Sequence, residues 1–285
     1  MQGRLVRTWF VARGEFMTAL MVGVWGVVVS ASAQPTLWLR ADSVVEADGR
    51  VSEWTDLSGN GRHASQIDAG RQPFWVAADD RAGGQPVVQF DGNEWLDVDA
   101  TFLSNSAYTV VAVVGREPPS RSVVANFFVA GSTIGRNQNL VLGWERDQLL
   151  RQAHFGNDLD AAVPPFRTRQ YSVLTFRFDP SEGRELYVEQ ERVAVDGDTR
   201  PVVDNLGTRI GHFPAFPQFY FHGSLAELRF YDTPLGEAEL ADVQADLMTR
   251  YGTELPVPFL PLPGVLALGL SLAGAATWML REDEA

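Results

Sequence analysis

Tyr108-Thr109-Val110-Val111-Ala112-Val113-Val114 is an unbroken run rich in β-branched residues. Its length and composition predict a central β-strand. The same period continues outward from it. Tyr171 to Phe178 alternates, with Tyr171, Val173 and Thr175 on one face and Ser172, Leu174 and Phe176 on the other. Val123 to Ala130, Leu140 to Trp144 and Leu149 to Phe155 extend the pattern. Upstream, Thr36 to Arg40 and Val51 to Thr55 lead into the turn cluster Asp56-Leu57-Ser58-Gly59-Asn60-Gly61. Pro86 to Phe90, the turn Asp91-Gly92-Asn93 and Trp95 to Val98 read as a β-hairpin. Glu185 to Glu189 meets Val193 to Val195 around Gln190-Glu191, and Gly207 to Gly211 and Phe219 to Tyr231 complete the set. Strands recurring every ~8–15 residues with turns between them predict an all-β fold, a sandwich or jelly roll. One packing helix is expected over Glu237 to Arg250. Leu240, Val243, Leu247 and Tyr251 share a face, Glu237 and Glu239 lie in the first turn, and Gly252 follows as the terminator.

The two ends of the chain differ from this middle. Arg4, Arg7 and Arg13 precede the apolar run Met17 to Val29, and Ala31-Ser32-Ala33 is a small-x-small site. That order predicts a signal peptide over residues 1–33, cleaved after Ala33. The domain then spans 34–254. Residues 255–264, Leu255-Pro256-Val257-Pro258-Phe259-Leu260-Pro261-Leu262-Pro263-Gly264, form a proline-punctuated linker that cannot be helical. An uncharged transmembrane helix is expected over 265–281, with Trp278 near the interface, and 282–285 is an acidic tail. This ending resembles the C-terminal sorting signals of the PEP-CTERM type. The resemblance implies an exported protein of a Gram-negative bacterium whose tail meets an exosortase-like processing enzyme. The family usually ends in several basic residues; here Arg281 alone precedes Glu282-Asp283-Glu284. Expected localisation is therefore export, then membrane anchoring or display at the cell surface.

Composition narrows the function further. The chain has no cysteine, so the exported domain carries no disulfide and rests on its core. Eight Trp and 17 Phe supply that core. Every basic residue is arginine, and the formal charge is −13. An acidic surface argues against nucleic acid as a partner, because phosphates require a basic patch.

Leu37-Trp38-Leu39-Arg40-Ala41-Asp42, Trp54-Thr55-Asp56-Leu57-Ser58-Gly59-Asn60-Gly61-Arg62-His63-Ala64, Gln72-Pro73 and Pro86-Val87-Val88-Gln89-Phe90-Asp91-Gly92 occur in that order. Gly223-Ser224-Leu225-Ala226-Glu227-Leu228-Arg229-Phe230-Tyr231-Asp232 and the closing helix follow. Together they resemble the concanavalin A-like lectin/glucanase superfamily in its laminin G-like bacterial form. The resemblance implies a two-sheet antiparallel jelly-roll sandwich that binds carbohydrate, protein or calcium, with glycosidases among its relatives.

Three kinds of chemistry follow as candidates. Asp56, Asn60 and Asp91 are the first choices for calcium, a hard cation that takes loop oxygens; the alternative is that they cap their turns. Trp54, Trp95, Trp144, Phe213 and Phe216 are the first choices for stacking on a polysaccharide or another surface component, with burial in the core as the alternative. A glycosidase needs facing carboxylates, and the Glu-x-Asp-x-x-Glu pattern that places them on one strand face is absent. Glu185, Glu189 and Glu191 alternate, which keeps a degenerate hydrolase open beside a binding module and a purely structural module. His63, His154, His212 and His222 stand isolated, without metal-ligand spacing.

Overall fold

The structure is a computed structural model and describes residues 33–117, 124–145, 149–163, 170–203 and 207–253. Residues 1–32 of the expected signal, the linker at 255–264, the apolar helix at 265–281 and the acidic tail at 282–285 lie outside the described residues. Among the described residues no helix is long and apolar enough to cross a membrane.

Among the described residues the fold is all-β with one α-helix. The strands are β1 (Leu37–Ala47), β2 (Arg50–Asp56), β3 (Ala64–Ser65), β4 (Phe74–Asp79), β5 (Gln85–Asp91), β6 (Leu96–Asp97), β7 (Tyr108–Arg116) and β8 (Val124–Ala130). They continue with β9 (Leu140–Glu145), β10 (Leu149–Ala153), β11 (Asp158–Ala162), β12 (Tyr171–Asp179), β13 (Gly183–Val188), β14 (Glu191–Asp196), β15 (Arg209–Ile210) and β16 (His222–Tyr231). The helix is α1 (Glu237–Tyr251). Neighbouring strands pair in the order β4-β5-β16-β7-β12-β13-β14 in one half and β11-β10-β9-β8-β15-β6-β3-β2 in the other. The single Arg50↔Phe74 pair joins the halves through β2 and β4, and β1 pairs with both β2 and β16. The pairings are antiparallel. The path folds back so that the halves face each other: Phe128 of β8 lies 4.7 Å from Phe230 of β16, and Phe127 lies 5.9 Å from Phe176 of β12.

The apolar run from Tyr108 to Val114 is buried along its whole length. Tyr108, Val110, Ala112 and Val114 enter the core between the halves, while Val111 and Val113 face a second cluster with Leu240, Leu247 and Tyr251 of α1. A strand covered on both faces has no polar side to show, which is why its sequence does not alternate. The helix ends where Gly252 adopts φ +63°, a left-handed conformation that costs glycine little.

Two expectations are corrected. The segment from Pro86 to Val98 is not a hairpin. β5 pairs with β4 and β16, whereas β6 pairs with β15 and β3. The chain crosses from one half to the other here, and Glu94 makes the corner: its buried carboxylate accepts from the N–H groups of Asp91 (2.8 Å) and Asn93 (3.1 Å). β3, β4 and β11 are additional strands that the sequence pattern did not mark.

Candidate functional site

The turn Asp91 to Glu94 aims Trp95 outward at the start of β6, with its indole half-buried. Its N–H donates to Asp97 (3.2 Å), and Asp97 also accepts from the guanidinium of Arg209 on the paired strand β15 (2.8 Å). Two arginines stand against the indole: Arg209 at 4.7 Å from the ring centroid and Arg71 at 5.5 Å. Such contacts draw a cation to the electron-rich ring face. Beyond β15, Gly211 takes φ +92°, and a Cβ there would sit 2.6 Å from the Phe90 ring. Glycine thus lets the chain turn tightly and bring His212 to Trp95.

His212 bridges to Tyr220 across a loop, and their rings stack at 4.2 Å. Trp95 lies 5.6 Å from His212 and 6.4 Å from Tyr220. Burial, followed by the charge of Arg209, pushes the His212 imidazole down to about 4, so it is neutral at neutral pH and its Nδ1 accepts from Arg209 (3.0 Å).

Asp97 continues this aromatic set into an open cleft of about 390 Å³, lined among others by His63, Ser65, Asp99, Thr101 and Thr208. Asp99 accepts from the backbone N–H (3.0 Å) and hydroxyl (2.7 Å) of Thr101, which holds its carboxyl below the usual range. The cleft therefore offers a fixed carboxylate and hydroxyls near the half-exposed rings of Trp95 and Tyr220, which the buried His212 backs. These can stack on a flat apolar face and accept from hydroxyls. A hydrolase acid must be held protonated, and Asp99 is pushed the other way.

The other sequence-marked residues are dispersed. Trp54 and Trp144 are core side chains, 0% and 1% exposed, and cannot stack on a ligand from outside. Phe213 is buried and Phe216 half-buried in a separate cluster with Phe155 and Phe219, over Val129, Val141 and Ala153 on the outer side of β8–β10. Asp56 is a turn cap. Its Oδ1 accepts from the N–H groups of Trp38 (3.0 Å) and Ser58 (2.9 Å), and its Oδ2 from Arg62 N–H (3.0 Å) and the Ser58 hydroxyl (2.8 Å). Its carboxyl is held low by these donors against the opposing effect of burial. Asn60 donates to Thr36 O (3.0 Å), and exposed Asp91 accepts from Gln89 (3.0 Å). Among the described residues no group of three or more His, Asp or Glu side chains is placed to hold a metal ion.

Glu185, Glu189 and Glu191 do not share a working face. Glu185 pairs with Arg177 (2.8 Å) and Arg192 (2.7 Å), Glu189 is buried in the turn before β14, and Glu191 is exposed. His154 is a core residue, bonded to the Tyr108 hydroxyl (2.8 Å) and pushed down to about 4, chiefly by burial. Ala33, the expected cleavage position, is the first described residue, and its N–H donates to Glu239 of α1. Arg71, Asp97, Arg209, His212 and Tyr220 are the members of the site that spacing alone does not connect.

No protein-family model matches the chain, and no curated protein matches it. Solved structures do share the fold. Domain 4 of an extracellular GH43 arabinanase from Geobacillus stearothermophilus, in complex with arabinotriose, superposes with a TM-score of 0.55 at 18% identity, covering 75% of this chain and 100% of that one. The binding domain of Paraclostridial Mosquitocidal Protein 1 gives 0.56 at 13% identity, covering 77% and 55%. Trypanosoma rangeli sialidase, in complex with the inhibitor DANA, gives 0.53 at 15% identity, covering 75% of this chain but only 33% of the sialidase. The chain thus has the β-sandwich fold found in carbohydrate-active and carbohydrate-binding proteins.

Proposed function

We propose that the domain is a polysaccharide-binding module of concanavalin A-like, laminin G-like jelly-roll type, carried by an exported protein that is tethered at a membrane or sorted to the cell surface. The observation that carries the binding role is the half-exposed Trp95, set beside Tyr220 and His212 and linked through Asp97 to the open cleft. Sugar rings present flat C–H faces and equatorial hydroxyls. An indole or phenol takes the first, and Asp97, Asp99 and Thr101 take the second. The export reading is supported by the signal-like residues 1–33 and the apolar segment 265–281. The resemblance of the tail to sorting signals adds an exosortase-like processing partner. No calcium is invoked, because the Asp56 oxygens are already occupied by four donors.

A glycan array probed with the chain and with Trp95→Ala tests the binding role. Retention of a polysaccharide that the variant loses, unchanged by a chelator, is the expected result. A wild-type array with no retained glycan removes the proposal. Fractionation of cells expressing the full chain tests the tether; a cytoplasmic protein retaining residues 1–33 would reject export.

A further inference from the structure

We propose that the polysaccharide taken by this site is acidic, bearing carboxylate or sulfate groups, and that Arg71 reads the charge. This rests on the polysaccharide-binding reading and names its ligand class.

The chain holds 36 acidic residues against 23 basic ones. In that setting most described arginines are held by carboxylates, from Arg40 on Asp42 (2.7 Å) to Arg250 on Asp246 (3.1 Å). Arg71 is different. Its Nη1 donates to the backbone oxygen of Asn93 (3.2 Å) and to the Asn93 side-chain oxygen, and its guanidinium lies 5.5 Å from the Trp95 ring. No described carboxylate pairs with it, and its Nε and Nη2 have no acceptor among the described residues. Asn93 and the indole hold the guanidinium in place without neutralising it. Its charge reaches across the ring set, since it helps to lower the His212 imidazole.

A second arginine stands beside the cleft onto which Asp97 opens. Arg62 precedes the lining residue His63, lies 5.2 Å from the Phe102 ring and stabilises the Asp99 carboxylate through its charge. It too lacks a described carboxylate within ion-pair distance. A planar guanidinium with one edge open matches a carboxylate or sulfate through two parallel N–H···O bonds. A neutral sugar could stack on Trp95 equally well but would leave that edge with water alone. Long-range attraction does not create the preference, because the net charge of the chain repels polyanions. Selection for an anion must then come from contacts within a Debye length, which is about 8 Å at physiological salt.

The test is affinity electrophoresis of the full chain, solubilised in neutral detergent, through matched pairs of polymers. These are polygalacturonate against its methyl ester, alginate against carboxyl-reduced alginate, and dextran sulfate against dextran. Expected is at least tenfold tighter retention by the acidic member of one or more pairs, the pair showing whether carboxylate or sulfate is read. Arg71→Gln should abolish that preference while keeping the weaker retention by the neutral polymer, and Arg71→Lys should keep part of it. Arg192→Gln, on the hairpin strand β14 at one end of the strand order, should leave it unchanged. Thermal melts of Arg71→Gln that match wild type keep folding out of the result. Equal retention by both members of every pair, or a preference that survives Arg71→Gln, overturns the acidic-ligand proposal and leaves the polysaccharide reading standing. Retention of no polymer by the wild type overturns both.

Discussion

Trp38 and Trp95 are each flanked by two arginines, and each gives its indole N–H to a carboxylate. Trp38 has Arg229 at 5.2 Å and Arg40 at 5.5 Å and donates to Glu227 (2.7 Å). Trp95 has Arg209 at 4.7 Å and Arg71 at 5.5 Å and donates to Asp97 (3.2 Å). The parts are the same, but the surroundings are not. Glu227 is 0% exposed and also takes Arg229 (2.6 Å), the Tyr251 hydroxyl of α1 (2.8 Å) and Arg250 (3.5 Å). The Asp97 side chain is 55% exposed and takes one arginine. Covering by α1 turns one cluster into a joint between β1, β16 and the helix. Lack of a cover leaves the other beside a cleft with a guanidinium edge to spare. An arginine–tryptophan–carboxylate set therefore means little until its solvent access is known.

The largest expected effect follows from the covered cluster. Glu227→Ala leaves Arg229 buried without its main partner, and breaking a buried pair from one side costs about 3–5 kcal/mol. Denaturant melts of the variant should show that loss. A change below about 1 kcal/mol would mean that the two clusters are energetically alike and would break the contrast.

Trp95→Ala is the mirror experiment. Its ring is half-buried at the rim of an open cleft, so its principal effect should appear in binding. Loss of a tryptophan anchor typically costs about 2 kcal/mol, or roughly 30-fold in Kd. Titration with the polysaccharide selected on the array measures it. Trp38→Ala should lower the midpoint of unfolding and leave the affinity of the folded fraction intact. Equal affinity losses in both variants would put Trp38 at the ligand site as well.

Much of this fold is legible in the sequence because burial imposes period. β7 reads as a doubly covered strand from its composition alone, and α1 from its spaced Leu240, Leu247 and Tyr251 with Gly252 behind them. The error at Asp91-Gly92-Asn93 has a physical origin. A turn signal specifies that the chain reverses, whereas the choice of sheet for the next strand depends on Glu94 folding beneath the corner. β4 is not legible because its exposure does not alternate, nor is β11, because Asp158-Leu159-Asp160-Ala161-Ala162 alternates with residues of low β-propensity. Of the site, Trp95 is legible as an aromatic after a turn. Trp54 and Trp144 look equally suitable in one dimension and are core in three. Arg71 and Arg209 are 138 positions apart in number and meet only because β6 pairs with β15.

Glu189 sharpens the contrast from a third side, as a buried carboxyl without an arginine. It is 4% exposed and accepts from Val173 N–H (3.3 Å) and the Thr253 hydroxyl (3.0 Å). Burial outweighs these donors and pushes it up to about 7. A carboxyl that binds its proton more tightly when folded supports stability below its unfolded pKa. That support is lost as pH rises from about 4.5 through about 7. Glu189→Gln keeps one acceptor oxygen for the Val173 N–H, sets an amide donor against the Thr253 hydroxyl oxygen in place of the other, and removes the titration. Its stability relative to wild type should rise by on the order of 1–2 kcal/mol between pH 5 and pH 8. A gap that stays constant across that range would show that the site is solvated in the folded protein.

The smallest expected effect on stability, and the most discriminating for ligand chemistry, belongs to Asp97→Asn. The Arg209–Asp97 bridge is exposed, so its removal should change stability by less than about 1 kcal/mol. Its consequence for binding has a definite sign. The substituted amide oxygen would still accept the Trp95 N–H but would no longer neutralise Arg209, so Trp95 would be flanked by two uncompensated guanidinium groups in place of one. An acidic polysaccharide should then bind several-fold tighter, and its neutral counterpart should not. The same change weakens the ligand if the Asp97 carboxylate itself accepts from sugar hydroxyls, in which case the acidic and neutral polymers lose affinity together. Retention of one matched pair, measured for wild type and Asp97→Asn at equal salt, separates the two. A rise confined to the acidic member assigns Asp97 to restraining Arg209, and a parallel fall assigns it to the ligand.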